Sequence, residues 1–303
     1  MNKIKVSVGI PAYNEEANIR HLLSSLISQI EDGFELLEII VVSDASSDAT
    51  IEIVKSFNNS KIKLVEHKVR VGQQTTQNEI MHLYKGDLLV ITEADILPEN
   101  NHFLKELITP FIATEPEEKL AMVIGHSVSV KSRNFFENVL KHNHDFKEHV
   151  FESWKEINIY MCGGHAMKVL PRWVTQEFKW PKNVPEDSYI YLWIVKNGYK
   201  IISQPNAKVL MKNVESFGDR LKQCKKYHSG KNSLKKYFDE NFIDSEYDIS
   251  KSILLKHVCL DFLQNPFWMI LVVSEMLINR VFTSMSKNFN SLYLPYVSSK
   301  KLI

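Results

Sequence analysis

The chain has 303 residues, 44% of them hydrophobic and 24% charged, the composition of an ordinary globular protein. A formal net charge of +1 excludes a strong global attraction to nucleic acid, so any charge-driven partner must meet a local patch. Three cysteines, Cys162, Cys224 and Cys259, are odd in number and far apart, which argues against a disulfide framework or a zinc spacing and points to a reducing compartment.

The opening Met-Asn-Lys-Ile-Lys lacks the apolar stretch of a secretion signal, so the expected location is the cytoplasm. Ile4, Val6, Val8 and Ile10 alternate with Lys5, Ser7 and Gly9 and predict a strand ended by Pro11. Asn14 reads as the N-cap of a helix, with Glu15 and Glu16 complementing its dipole and Ile19, Leu22, Leu23, Leu26, Ile27 and Ile30 at helical spacing. Gly33 closes that unit. A second strand is expected over 36–42, apolar except for Glu38, then a helix over 48–57, a strand over 62–66, a helix over 74–84 and a strand over 87–92. Strand and helix thus alternate through the first hundred residues, which implies an α/β fold with a mainly parallel sheet flanked by helices. The middle is less regular. Strands are expected over 121–130, 157–161 and 199–203, with helices over 135–154, 188–196 and 215–237, the last broken near Gly230. Residues 241–248 read as an acidic linker, and 253–282 as an apolar tail.

In open α/β sheets ligands bind at the carboxyl ends of the strands. Three such ends carry polar or acidic residues here: Tyr13-Asn14-Glu15, Ser43-Asp44 and Glu93-Ala94-Asp95. Capping accounts equally well for Asn14 and Asp48. Glu93 and Asp95 differ, because they end an apolar run and their i, i+2 spacing puts both carboxylates on one side of an extended segment. Two hard oxygen ligands beside a diphosphate suit Mg²⁺ or Mn²⁺.

With these residues in view, the chain resembles a family 2 glycosyltransferase of the GT-A type, the nucleotide-diphospho-sugar transferase fold. Five segments carry the resemblance, in order, across residues 4–235. They are Val6 to Glu16, Val41 to Thr50, Glu93-Ala94-Asp95 in the place of an Asp-x-Asp motif, Pro185 to Ile190 followed by Asn197 to Lys200, and Gln223-Cys-Lys-Lys-Tyr227. The resemblance implies an inverting hexosyltransferase class enzyme with a UDP-linked donor, and a glycan or lipid-linked glycan as acceptor. Pro11, Tyr13, Glu15, Asp44, Glu93, Ala94 and Asp95 would form the donor site. Asp44 would accept from the base, and Asp95, joined by Glu93, would hold the Mn²⁺ or Mg²⁺. Asp187 would be the general base with Glu186 beside it. Gly164, His165, Gln223, Lys226 and Tyr227 would lie near the acceptor or the diphosphate. The chain departs from the family in having Ser43-Asp44 for a common Asp-Asp, Glu93 as the first acid, Gln77-Asn78 for an Arg-Asn pair, and Lys226 and Tyr227 for Arg and Trp. Two other readings stand beside it: a nucleotidyltransferase on a related fold, which would use the same metal site, and, motivated by these departures, a degenerate nucleotide-binding subunit of a membrane assembly.

The remaining candidates divide between solvated and functional readings. His142, His144 and His149 with Asp145 share a helix without zinc spacing and read as a solvated face. The basic run Arg220, Lys222, Lys225, Lys226, Lys231, Lys235 and Lys236 reads as a solvated helix, a diphosphate contact or an attraction to anionic lipid. The apolar run 267–273 is too short to span a bilayer, so an interfacial helix or one packed on the domain is expected. The division expected is a catalytic domain over 1–240 and a helical C-terminal extension over 241–303, peripheral on a membrane or packed on the domain.

Overall fold

In a computed structural model, the described residues are 3–113, 119–163 and 167–285. Gly164 and His165 lie outside them. The expected alternation is present as β1 (Ile4–Ala12), α1 (Ile19–Ile27), β2 (Phe34–Ser43), α2 (Thr50–Ser56), β3 (Ile62–Glu66), α3 (Gln73–Leu83) and β4 (Leu88–Ile91). There follow β5 (Leu97–Pro98), α4 (Phe103–Ala113), β6 (Leu120–Ser129), α5 (Phe135–Trp154), β7 (Lys168–Pro171), α6 (Arg172–Glu177), α7 (Glu186–Lys196) and β8 (Lys200–Met211). Four helices end the described chain: α8 (Phe217–Leu234), α9 (Glu240–Tyr247), α10 (Lys251–Gln264) and α11 (Pro266–Met285).

The strands form one eight-stranded sheet in the order β3-β2-β1-β4-β7-β6-β8-β5. The first four are mutually parallel, whereas β7 runs antiparallel to both β4 and β6, and β5 antiparallel to β8. The sheet is therefore more mixed than the sequence alternation implies. Alternate side chains of each inner strand enter opposite cores: Val8, Leu88 and Val90 join one, and Leu89 and Ile91 the other. Gly9 lets β1 meet α3, since a Cβ there would lie 2.2 Å from Ile80 Cγ2. Glu38 breaks the apolar run of β2 without breaking the strand. It accepts hydrogen bonds from Ser7 Oγ at 2.9 Å and the Lys85 N–H at 2.6 Å, and it pairs with Lys63.

Several expectations are corrected. Asn14 has a left-handed φ of 56° and caps no helix; its Oδ1 accepts from the Ser47 N–H at 2.8 Å, and α1 starts at Ile19. Residues 157–161 form turns, held by Asn158 Oδ1 accepting from the N–H groups of Tyr160 and Met161, so no strand forms there. The acidic stretch at 241–248 is helix α9, because Asp239 caps it and Ile243 enters the second core. α8 is unbroken at Gly230, whose missing side chain admits Pro185, the residue just before α7; a Cβ would sit 3.3 Å from the Pro185 ring. The histidine face of α5 is only partly solvated: His142 and His144 are half-buried, whereas His149 is exposed. His142 stacks on Trp268 at 4.4 Å, His144 reaches the Ser127 carbonyl, and His149 faces Asp261 at 3.8 Å.

Candidate active site

The loops after β1 and β2 are laced together before they present any side chain. Ser46 Oγ accepts from the Asn14 N–H, Thr50 Oγ1 from the Glu15 N–H, Asp48 from the Glu16 N–H, and Glu16 in return from the Ala49 N–H, all within 3.1 Å. This lacing fixes Tyr13 and Glu15 at the carboxyl edge of β1, next to Pro11, which pairs with Val42 in the ladder. Arg70 lays its guanidinium 3.8 Å from the centre of the Tyr13 ring, a cation–π contact on one wall of the edge. The sequence reading did not single out Arg70.

Asp44 is buried at the end of β2, and it faces the segment that leads into α3. Its carboxylate accepts the N–H groups of Val71 at 2.7 Å and Gly72 at 2.9 Å, and His67 Nδ1 lies 3.2 Å away. His67 also meets Glu79 at 2.7 Å. Burial alone would lower the pKa of His67, but the hydrogen bonds to Asp44 and Glu79 outweigh it and raise the value above the usual imidazole range. Asp44 thus tethers the Arg70-bearing segment to the sheet edge.

Beyond β4, Glu93 and Asp95 are half-buried on either side of buried Ala94, the alternation expected of an extended segment. The carboxyl of Glu15 is pushed up to about 8, first by burial and then by the negative fields of Asp95, Glu93 and Asp48, against a hydrogen bond from Asn18. A cation nearby would relieve the mutual repulsion of these carboxylates. Among the described residues no group of three or more His, Cys, Asp and Glu side chains is arranged to enclose a metal ion. One or two carboxylates completed by substrate phosphates is the usual arrangement for Mg²⁺, so the donor set at this edge fits a divalent cation brought with a diphosphate.

The antiparallel strand β7 brings the fourth element. Its first residue, Lys168, lies opposite Ile91, the last residue of β4, so a lysine enters the sheet at the edge where Glu93 follows. Lys168 Nζ meets Asp187 Oδ1 at 2.5 Å. Burial would lower the lysine pKa, but Asp187 foremost, then Glu93 and Glu186, hold it above its ordinary value. Asp187 and Glu186 form the first turn of α7, where carboxylates suit the helix dipole. Gln74 at the start of α3 donates to the Val184 carbonyl at 2.7 Å and to Glu186 at 3.3 Å. Asn78 exchanges two hydrogen bonds with the Trp180 backbone. The helix that follows the Asp44 tether therefore also holds the Asp187 turn. Lys168 was missed in the sequence, although a lysine opening the short apolar run Val169-Leu170 was a visible signal.

Gln223 lies on α8 and accepts from Arg220 at 2.6 Å. Lys226 and Tyr227 belong to the same helix. Several cations of α8 and its C-terminal flank are engaged within the chain: Arg220 with Glu275, Lys222 with Asp219, Lys231 with Asp244 and Lys235 with Glu240.

Comparison with known proteins gives a family match over residues 7–169, to the model described as Glycosyl transferase family 2. UDP-Glc:alpha-D-GlcNAc-diphosphoundecaprenol beta-1,3-glucosyltransferase WfgD of Escherichia coli is 26% identical over 200 residues, 65% of this chain and 72% of that relative. Undecaprenyl-phosphate 4-deoxy-4-formamido-L-arabinose transferase of Aeromonas hydrophila is 32% identical over 94 residues, 30% of this chain and 29% of the relative. The mannosyltransferase PcManGT from Pyrobaculum calidifontis, solved with GDP-Man and Mn²⁺, shares the fold at a TM-score of 0.61. Its identity is 18%, covering 94% of this chain and 84% of that one. The likeness to this GT-A structure confirms the expected fold class.

Proposed function

The chain belongs to glycosyl transferase family 2 and is a glycosyltransferase, and from that premise we propose that it moves a hexose from a UDP-linked donor to a hydroxyl of a lipid-linked glycan, with inversion at the anomeric carbon. The observation that carries the reading is the meeting of Asp187, Lys168 and Glu93 at one sheet edge, with Asp95 two residues past Glu93 and acting on Glu15. In this reading residues 1–240 form the catalytic unit and 241–303 the extension. The undecaprenol chemistry in the names of the two relatives supports a lipid-linked acceptor. The UDP-Glc donor named for one of them supports a UDP-sugar.

The donor nucleoside would lie on the β1 edge, between the Tyr13–Arg70 stack and Glu15, with Asp44 holding the Arg70 segment in place. Asp95, assisted by Glu93, would hold Mn²⁺ or Mg²⁺ against the diphosphate. When bound, that ion would supply Lewis-acid stabilisation of the departing phosphate oxygen. Asp187 would take the proton of the acceptor hydroxyl on the face opposite the leaving group, and one base so placed gives in-line displacement. Such general-base help is typically worth about 10²–10⁴-fold. Lys168 would hold the Asp187 carboxylate in its orientation between Glu93 and Glu186. Gln223, Lys226 and Tyr227, with Gly164 and His165, are proposed to border the acceptor or the diphosphate.

The test is to incubate the purified chain with Mn²⁺ and a panel of nucleotide sugars, to follow nucleotide release, and to add a diphosphoundecaprenol-linked sugar as acceptor. Turnover with a UDP-sugar, abolished by a chelator, is the expected result. Asp187→Asn should bind the donor normally by calorimetry and lose about 10²-fold or more in transfer. Near-normal transfer by that variant removes Asp187 as the base, and full activity in excess chelator removes the ion.

A further inference from the structure

We infer that the outward face of the α10–α11 hairpin is a docking surface for an anionic lipid bilayer. The helix α11 is built the wrong way round for water. Met269, Val272, Glu275 and Asn279 form its buried stripe, so a carboxylate and an amide point into the protein. Phe267, Ile270, Leu277, Ile278, Val281 and Phe282 point out. A helix on a water-facing surface carries the opposite arrangement. Turning the ionisable residue inward and the apolar ones outward is what a helix does against lipid. α10 continues the face, with no residue buried and with Leu254, Leu255, Leu260, Phe262 and Leu263 exposed. Together the two helices hold eleven of the nineteen large hydrophobic side chains exposed among the described residues. Phe135, near Trp268, and Phe217, edge-on to Phe282, extend the patch onto α5 and α8. A contiguous apolar surface of this kind marks an interaction site.

Charge selects the occupant. Lys251, Lys256 and Arg280 are exposed on the hairpin, while its two acids are turned toward α5 and α8, Asp261 facing His149 and Glu275 bonded to Arg220. A second copy docking face to face would set like charges against like, whereas anionic headgroups complement them. Among the described residues no helix is long and apolar enough to cross a membrane. The contact is therefore in the plane of the interface, with the apolar side chains in the headgroup–acyl boundary. This inference does not depend on the donor or on Asp187; vesicle binding is read without either, and the two can fail separately.

The full chain is sedimented with vesicles of phosphatidylcholine alone and of phosphatidylcholine containing phosphatidylglycerol, and its mass is followed by light scattering without lipid. It should pellet with the anionic vesicles, less so as salt is raised. The double variant Leu263→Asp with Phe267→Asp changes two exposed side chains, so it should keep its melting transition and lose at least about tenfold in binding. Lys251→Glu with Lys256→Glu should lose roughly fivefold per residue on anionic vesicles and little on neutral ones. A chain that stays in the supernatant with both vesicles overturns the inference. So does equal binding to both vesicles, and so does a dimer that the Leu263→Asp, Phe267→Asp variant dissociates.

Discussion

Lys168 is mostly removed from water and still keeps its charge, because three carboxylates surround it. That cost is repaid only if the ammonium has a task, and its contact with Asp187 supplies one. Lys168→Met retains the length and apolar stem but removes the cation. We expect kcat to fall by roughly tenfold or more, with a smaller change in the donor KM, because the proposed base is left without its orienting partner beside Glu93 and Glu186. Steady-state kinetics with a UDP-sugar checks this, and an unchanged kcat would leave Lys168 a packing residue. At this scale the sequence was legible where an acid ends an apolar run, as at Glu93 and Asp95. It was less legible where a residue acts through a neighbour distant in sequence. Asp44 could be picked out by position, but not its tether to Val71 and Gly72, which depends on how the segment after β3 folds back.

The segment from His67 to Gly72 is secured at one end by His67 and at the other by the Asp44 carboxylate. Its stability should follow the charge on His67. The folded-state pKa of this group is raised, so its contribution is fully present below the ordinary value of 6.5 and is lost as pH rises through the raised one. The melting temperature should decline across that window, and His67→Gln should flatten the decline; identical pH profiles for the two proteins would contradict the tether. Among elements, β1, β2 and β4 were readable because parallel strands covered on both faces leave a plain apolar signature, and β3, at the sheet edge, because Ile62, Leu64 and Val65 still mark it. β7 was not, since a lysine opens it and a proline closes it. β8 was read as five residues and runs to twelve, because its centre passes through Ser203, Gln204, Pro205 and Asn206, which carry no strand pattern. α9 looked like a linker because acids hid its one deeply buried apolar residue, Ile243.

At the scale of the whole molecule, α11 is held to α5 and α8 by a polar knot rather than by apolar packing alone. Glu275 of α11 accepts from Arg220 of α8 at 2.7 Å and from Asn143 of α5 at 2.6 Å, and Asn279 adds a further bond. Lys147 stands nearby, its ammonium pushed down to about 8 by burial and Arg220 against the pull of Glu275. Glu275→Ala removes the acceptor from several buried donors at once. The expected cost is about 3 kcal/mol of unfolding free energy, read by denaturant titration, and an unchanged midpoint would show that the knot adds nothing. The sequence announced an apolar tail but not this arrangement, since Glu275 in an apolar run reads as an interruption until its partners on α5 and α8 are known. One consequence concerns which changes of length the chain could survive. Side chains alternate across a strand, so deleting a single residue between Lys168 and Pro171 would either turn the lysine to the far face of the sheet or displace every residue after it. The connections between β4 and β7 could gain or lose whole turns with Lys168 still opposite Ile91. Drift in length among descendants of this chain should therefore collect in those connections and spare the four residues of β7.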